Sequence, residues 1–294
     1  GLSTHMVACT APAIVHRTAG HPFVHRLALQ HHHGRQHPGL RLQHRGAVAP
    51  FPQGAAASVT VVKAAHIGTP HRLHELRQAV CLLGREQQVQ LIVAHHPVIF
   101  SPLKALPQNH PVYQLAAHGI AAICVHTPLD IAPEGLNAYA HALLKEPLSL
   151  ANQQSVLEPS WTDGRGFGWI DVSTQEWTPC ALAGVLEKTF GTVRYSAKAV
   201  PIRKIAYCSG SAASMLELAA ARGCDALITG DIKHDRWYAA EFENMALFDC
   251  GHYGTERFAA EILAGQIQKA LPRVQIIRNA GRNPAEFWVG DEKA

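Results

Sequence analysis

The heptapeptide Leu91-Ile92-Val93-Ala94-His95-His96-Pro97 places a short apolar run directly before two adjacent histidines. Its first three residues are aliphatic and two of them are β-branched, which predicts a buried strand. The histidines follow where such a strand would end. Because ligand sites in α/β proteins lie outside the carboxyl ends of the strands, the heptapeptide predicts both an α/β sheet and functional residues at its edge.

The same alternation continues on both sides of the heptapeptide. Predicted strands cover residues 58–65, 91–93, 120–125, 205–208, 226–229 and 246–250, and predicted helices cover residues 71–83, 113–118, 137–144, 212–222 and 255–271. Strands that alternate with helices favour βαβ units and mainly parallel sheets. We therefore predict two α/β lobes, residues 75–147 and 202–294, with the functional site in the cleft between them. Residues 148–201 are rich in Pro, Gly, Trp and Thr, and we expect them to form a linker of extended connecting strands.

Residues 1–74 differ in composition from the rest of the chain. They contain seven Lys or Arg and no Asp or Glu, whereas residues 75–294 contain 19 basic and 22 acidic side chains. They also contain 12 of the 20 histidines. Three interpretations stay open: a His-rich arm that gathers metal or binds anions, a solvated disordered extension, and an upstream reading-frame error that has replaced the authentic start. We predict that residues 75–294 form the functional domain.

The composition narrows the classes of protein that fit this chain. Apolar runs are shorter than the roughly 20 residues that span a bilayer, so we expect no membrane insertion. The seven cysteines include no C-x-x-C pair, which favours free thiols in a reducing cytoplasm. We find no clear nucleic-acid site, and the expected partner is a small-molecule substrate.

Three short clusters of imidazoles and carboxylates each follow a predicted strand. Their donor atoms suit divalent Zn, Mn, Fe, Co or Ni, and the absence of cysteine from the clusters favours a catalytic site over a closed structural zinc site. Together they offer enough ligands for two metal ions per subunit, and we expect this metal site to lie in the cleft between the two lobes. The clusters are His95-His96, His126-x3-Asp130 and His252-x3-Glu256.

The spacing within the clusters suggests a role for each ligand. Adjacent His95 and His96 leave an extended backbone in opposite directions, so we expect them to serve different ions. His252 and Glu256 share one face of a helix. Since a carboxylate has two oxygens and can bridge two ions, Glu256 and Asp130 are the bridging candidates and the three histidines the terminal ligands.

The remaining polar candidates have less specific patterns. His126, four residues before Asp130, is the candidate catalytic residue as a proton shuttle, although it could also be a ligand or orient one. Asp231 and His234 are candidates for orienting ligands. Lys104 and the loop of residues 209–211 could contact a phosphate, with a surface lysine and a plain turn as the alternatives. Histidines without a strand-end context are expected to be structural or exposed: His110, His118 and His141.

Four segments of the chain combine these clusters with their neighbours: LIVAHHPVIFSPLK (91–104), HTPLD (126–130), ITGDIKHD (228–235) and GHYGTE (251–256). Together they resemble the Nif-three-like dinuclear metal centre family, the type 2 homologues of GTP cyclohydrolase I. The resemblance covers residue 85 to the end, and it implies the metal ligands His95, His96, Asp130, His252 and Glu256. It also implies a homohexamer.

The chain departs from the family pattern in two places. Residues 1–74 contain no Asp, so they lack the Trp-Asp-Asn-x-Gly-like motif with which the family opens. Residues 148–201 are too few for the domain that longer members insert between the lobes, so the chain resembles the short form.

The resemblance implies a function for the site. We expect a dinuclear metal-dependent hydrolase of the GTP cyclohydrolase type, in which a metal-bridging hydroxide attacks C8 of a purine nucleotide. His126 would donate or accept a proton. The alternative is a non-catalytic metal-binding or regulatory interaction protein.

Overall fold

A computed structural model describes residues 58–62, 89–99, 102–160, 163–196, 201–279 and 283. Its strands are β1 (Ser58–Val62), β2 (Leu91–Ala94), β3 (Ala121–Cys124), β4 (Ser155–Pro159), β5 (Gly166–Trp177), β6 (Arg194–Tyr195), β7 (Ile202–Tyr207), β8 (Ala226–Thr229), β9 (Ala246–Asp249) and β10 (Gln275–Asn279). Its α-helices are α1 (Pro111–Ala117), α2 (Thr127–Ile131), α3 (Leu136–Lys145), α4 (Pro179–Phe190), α5 (Leu216–Ala221), α6 (His234–Phe242), α7 (His252–Glu256) and α8 (Ala259–Ala270), and a 3₁₀ turn spans Ala213–Met215.

The strands form two sheets. The first has the order β10-β1-β2-β3 and is parallel throughout. The second has the order β4-β5-β7-β8-β9-β6, in which β7, β8 and β9 are parallel and the outer pairings are antiparallel. The α/β prediction is therefore confirmed. The expectation of mainly parallel sheets holds for the first sheet and for the centre of the second.

The central strands of the second sheet are apolar because both of their faces are covered. All four residues of β8 and of β9 are buried. Their side chains alternate between two core clusters: Ile228 and Phe248 belong to one, and Leu227 and Leu247 to the other. This period of two is that of a strand with a hydrophobic layer on each side.

The sheets are distributed along the chain differently from the predicted lobes. Within residues 148–201, β4 and β5 are strands of the second sheet, and α4 is a helix where extended connecting strands were expected. Within residues 202–294, β10 returns to the first sheet and pairs with β1. The lobe boundaries thus stay a prediction, as does the cleft between the lobes, and most of residues 1–74 lie outside the described residues.

Several predicted elements are confirmed with adjusted ends. Strands are present at 91–94, 121–124, 202–207, 226–229 and 246–249. The helix predicted over 212–222 is a 3₁₀ turn followed by α5, and the one predicted over 255–271 is divided into α7 and α8. The helix predicted over 71–83 lies outside the described residues. In the part of the chain that the structure describes, every helix is too short or too polar to cross a bilayer.

Candidate metal centre

The two adjacent histidines follow β2 and are almost fully buried. The chain bends at His95 and His96 directly after Ala94, the last residue of the strand. The two rings lie with their centroids 4.7 Å apart. The expectation that they point in opposite directions is wrong, because the backbone at these positions is bent and not extended. Both imidazoles face the same cluster of side chains.

The second pair of candidates lies at the end of β3. His126 is the N-cap of α2 and Asp130 is near the carboxyl end of this short helix. The ring centroid of His126 lies 5.0 Å from that of His95 and 5.2 Å from that of His96. Asp130 Oδ1 lies 3.7 Å from His95 Nε2. The strand-end pattern therefore brings the first two clusters together.

The third cluster lies on α7, which follows β9. His252 and Glu256 are four residues apart and share one helical face, with 3.1 Å between His252 Nε2 and Glu256 Oε2. The same carboxylate oxygen lies 3.2 Å from His96 Nε2, and Glu256 Oε1 lies 3.7 Å from His95 Nε2. Glu256 thus lies among three histidines, two of which follow a strand of the other sheet.

Among the residues that the structure describes, two groups of side chains could hold a metal ion, and the groups share His96. In each group the candidate ligand atoms lie within 4.8 Å of one another. One consists of His95, His96 and His126, and the other of His96, His252 and Glu256. Asp130 adjoins the first group through His95. All six candidates from the three sequence clusters are thereby brought together.

The donor atoms fit a bound cation. Among the described residues, the buried His95 Nε2 and Asp130 Oδ1 have no hydrogen-bond partner. Their separation of 3.7 Å is too long for a hydrogen bond, and leaving buried polar atoms unsatisfied costs about 1–3 kcal/mol each. A divalent ion bound to both His95 Nε2 and Asp130 Oδ1 would remove that cost. Imidazole nitrogen and carboxylate oxygen are suitable ligands for it.

A glycine loop after β7 makes room for the Glu256 carboxylate. A Cβ placed on Gly210 would lie 2.5 Å from Glu256 Oε1, and the residue has a φ of +69°. Two backbone N–H groups of this loop are already hydrogen-bonded within the protein. Ser209 N–H donates to Asn137 Oδ1, and Gly210 N–H donates to Thr255 Oγ1. The loop therefore serves to pack against α7, and phosphate binding by these two amides is not supported.

The charges of the cluster alter the pKa values of its members. Burial raises the pKa of Asp130 to about 7. Burial would lower the pKa of His252, but the carboxylates of Asp231 and Glu256 raise it to about 9. For His95 as well, the effect of burial is outweighed by Glu256 and Asp130, which raise its pKa. Burial would raise the pKa of Glu256, but the neighbouring imidazoles of His252, His95 and His96 hold it well below its usual range.

The minor candidates are placed as follows. Asp231 contacts His252, whereas the ring of the exposed His234 packs edge-on against Tyr238 at 5.3 Å. Lys104 is exposed. The three remaining histidines have structural contacts: His110 caps α1, His118 Nδ1 lies 2.7 Å from Gln114 O, and His141 Nε2 lies 2.8 Å from Asp171 Oδ2.

One residue near the centre is absent from the sequence-based candidates. Asn137 is buried at the start of α3, where its amide donates to the Asp130 carbonyl at 3.0 Å. Its Oδ1 accepts from Ser209 N–H, also at 3.0 Å. Asn137 thus connects the helix that carries Asp130 with the loop that packs against Glu256. An asparagine within a helical pattern gives no sequence signal for this role.

Two curated proteins similar to this chain carry related names. The chain is 31% identical over 201 residues to a GTP cyclohydrolase 1 type 2 homolog of Streptococcus pneumoniae, a match that covers 65% of this chain and 73% of the relative. It is 30% identical over 192 residues to the GTP cyclohydrolase 1 type 2 of Helicobacter pylori, covering 60% of this chain and 68% of the relative.

The fold and the family model agree with these relatives. The crystal structure of a Bacillus cereus protein related to NIF3 superposes with a TM-score of 0.67 at 17% identity, covering 80% of this chain and 90% of that protein. Residues 75–284 match the model of the family described as Duf34/NIF3 (NGG1p interacting factor 3). The chain belongs to this Duf34/NIF3 family.

Proposed function

We propose that this protein is a metal-dependent hydrolase with two divalent ions per subunit and a purine nucleotide as substrate. The ligands would be His95, His96, Asp130, His252 and Glu256. The observation that carries the proposal is the buried pair His95 Nε2 and Asp130 Oδ1, which lack a hydrogen-bond partner within the described residues inside a cluster of imidazoles and carboxylates. The names of the relatives, GTP cyclohydrolase 1 type 2 and its homolog, support the nucleotide substrate.

The protein's own side chains would prepare the site for hydrolysis. Two bound divalent ions would supply a water of lowered pKa and would polarise the substrate. Glu256 stays anionic at neutral pH because the surrounding imidazoles hold its pKa well below the usual range. Asp130 provides the second carboxylate, and burial of the cluster limits the water that competes with substrate.

His126 is the proposed proton donor or acceptor. Its ring is partly exposed and lies beside the rings of His95 and His96, so it can exchange protons with a bound substrate. We expect His126→Ala to lose turnover while it retains two ions. A drop to one ion per chain would instead identify His126 as a ligand, as its membership of one candidate ligand group allows.

A second candidate function is a regulatory interaction protein in which the ions stabilise a scaffold. The family description, NGG1p interacting factor 3, favours this alternative. Under it, the same side chains would bind metal without turning over a substrate.

Turnover of nucleotides separates the two functions. Metal-free protein would be loaded with Zn, Mn, Fe, Co or Ni in turn and incubated with GTP and other purine nucleotides, and the products would be analysed by mass spectrometry. Hydrolysis predicts a ring-opened formamide one water heavier than GTP or, after a second water has cleaved that formamide, the corresponding amine together with formate. Glu256→Gln should lose turnover, and His118→Ala, a change at an exposed histidine, should keep it. Full metal loading without turnover of any nucleotide would favour the scaffold function.

A further inference from the structure

A carboxylate outside the ligand set contacts His252 from a different element. Asp231 lies two residues after β8, in the loop that leads to α6, and its Oδ2 is 2.9 Å from His252 Nδ1. Its φ is +53°, in the left-handed region that non-glycine residues seldom adopt. A backbone held in this conformation requires support from its surroundings.

The surroundings of the loop supply that support. Gly230 packs so closely against the backbone of Gly251 that a Cβ at position 230 would lie 2.5 Å from the Gly251 carbonyl carbon. On the other side of Asp231, Ile232 N–H donates to Asp249 Oδ2 at 3.2 Å, and the same carboxylate is paired with Arg194. The loop is therefore fixed directly beside the residue that precedes His252.

The contact determines which nitrogen of His252 faces the cluster. Because Asp231 accepts the proton on Nδ1, Nε2 is the atom directed at Glu256 Oε2, 3.1 Å away. A carboxylate in this position orients the ring and makes the imidazole a more basic ligand. His95 is oriented in a comparable way, since its Nδ1 lies 3.1 Å from the Val125 carbonyl oxygen.

Packing restrains the ring of His252 less than that of His95, so a hydrogen bond on Nδ1 contributes more to the orientation of His252. The side chain of His95 is 0% exposed and is held by packing on all sides, whereas that of His252 is 12% exposed. A ring at the edge of the cluster has more freedom to rotate. We propose that Asp231 is a positioning residue of the metal centre, which holds the Nδ1–H of His252 and presents its Nε2 to the ion.

Two substitutions separate this role from a role in folding. Asp231→Gly removes the carboxylate but accepts the positive φ without strain, so the loop can keep its conformation. Asp231→Asn also tolerates this conformation and keeps a side-chain oxygen that can accept from Nδ1. Asp235→Asn, at an exposed position in the first turn of α6, is the matched control. Thermal unfolding of each metal-free variant checks that the fold is retained.

The inference rests on the proposed metal site, and the experiment distinguishes failure of one from failure of the other. Zn affinity would be measured by competition with a chromogenic chelator, and the imidazole nitrogens of Zn-loaded protein would be observed by 15N NMR. We expect Asp231→Gly to weaken Zn binding by about 10- to 100-fold and to lose the protected Nδ1–H signal of His252. Asp231→Asn should recover most of both, and Asp235→Asn should match the wild type.

Two results would contradict the proposal in different ways. Wild-type affinity together with an unchanged Nδ1–H signal in Asp231→Gly would overturn the positioning role and leave the metal site intact. Failure of the wild-type protein to bind Zn would overturn the metal site itself.

Discussion

The imidazoles of the centre are oriented by contacts on the nitrogen that faces away from it. His95 Nδ1 lies next to the Val125 carbonyl and His252 Nδ1 next to Asp231, so both Nε2 atoms are directed towards Glu256. These contacts fix the direction from which each histidine can donate to an ion. A pre-oriented ligand loses little rotational freedom when metal binds, which favours tight binding.

Metal affinity should rise with pH between about 6 and 9. Ligands bind metal in their deprotonated forms. In the metal-free protein, Asp130 has a pKa of about 7 and His252 a pKa of about 9, both above the ordinary values, so protons compete with metal up to a higher pH than usual. Chelator competition at pH 6, 7 and 8 would measure the affinity, and calorimetry in buffers of different ionisation enthalpy would measure the protons released. An affinity independent of pH over this range would contradict the proton competition.

Sequence spacing located the six candidate side chains but not their orientation. His252 and Glu256 could be paired because four residues separate them on a helix, and the histidines after β2 and β3 could be placed because parallel strands end at one edge of a sheet. The sequence indicated Asp231 as a candidate for orienting a ligand, but it did not show which histidine Asp231 contacts, and it gave no signal for the Val125 carbonyl beside His95. Val125 is 30 residues from His95 in the sequence, and Asp231 is 21 residues from His252. Each pair comes into contact only when the chain folds.

At the scale of elements, the sequence contains the start signal of helix α4, although the segment was predicted to form extended strands. Thr178 accepts a hydrogen bond from Ala181 N–H, and Pro179 occupies the first turn, as is typical of a helix start. The surrounding Trp, Thr and Gly residues favoured extended strands, and they do form β5. By contrast, β10 follows α8, a helix with one face buried in a core cluster, and its pairing with β1 joins two segments that lie far apart in the sequence. No local pattern encodes such a pairing.

Loss of the α4 cap should reduce stability without affecting metal binding. Thr178→Ala removes the acceptor for Ala181 N–H and should lower the free energy of unfolding by about 1 kcal/mol. Thr178→Ser, which keeps the hydroxyl, is the matched control. Urea unfolding of the metal-free proteins measures the difference, and metal content measured in parallel should equal that of the wild type. A metal content that falls with Thr178→Ala would show that the cap also supports the centre.

At the scale of the whole molecule, the centre depends on both sheets. His95 and His96 follow a strand of the first sheet, and α7 follows a strand of the second. The chain then returns through α8 to place β10 in the first sheet. The ligands on α7 therefore lie between two segments that belong to different sheets, and both sheets have to form before the cluster is complete.

Asn137 should support this assembly. Asn137→Ala leaves the Asp130 carbonyl and Ser209 N–H without their hydrogen bonds, which should cost about 1–3 kcal/mol of stability and weaken metal binding. Asn137→Asp keeps the acceptor for Ser209 but loses the donor to Asp130, so it should be intermediate in stability. Urea unfolding and chelator competition measure the two effects. Wild-type stability and affinity in Asn137→Ala would contradict a connecting role for this residue.

The number of metal ions per chain tests the central claim most directly. Protein purified without chelator, or metal-free protein dialysed to equilibrium against Zn, Mn or Co, would be analysed for metal and for protein concentration on the same sample. Two ions per wild-type chain are predicted, with fewer in His95→Ala and in Glu256→Gln, and two again in the control His118→Ala. One ion or none in the wild-type chain, under all of these conditions, would contradict the dinuclear centre.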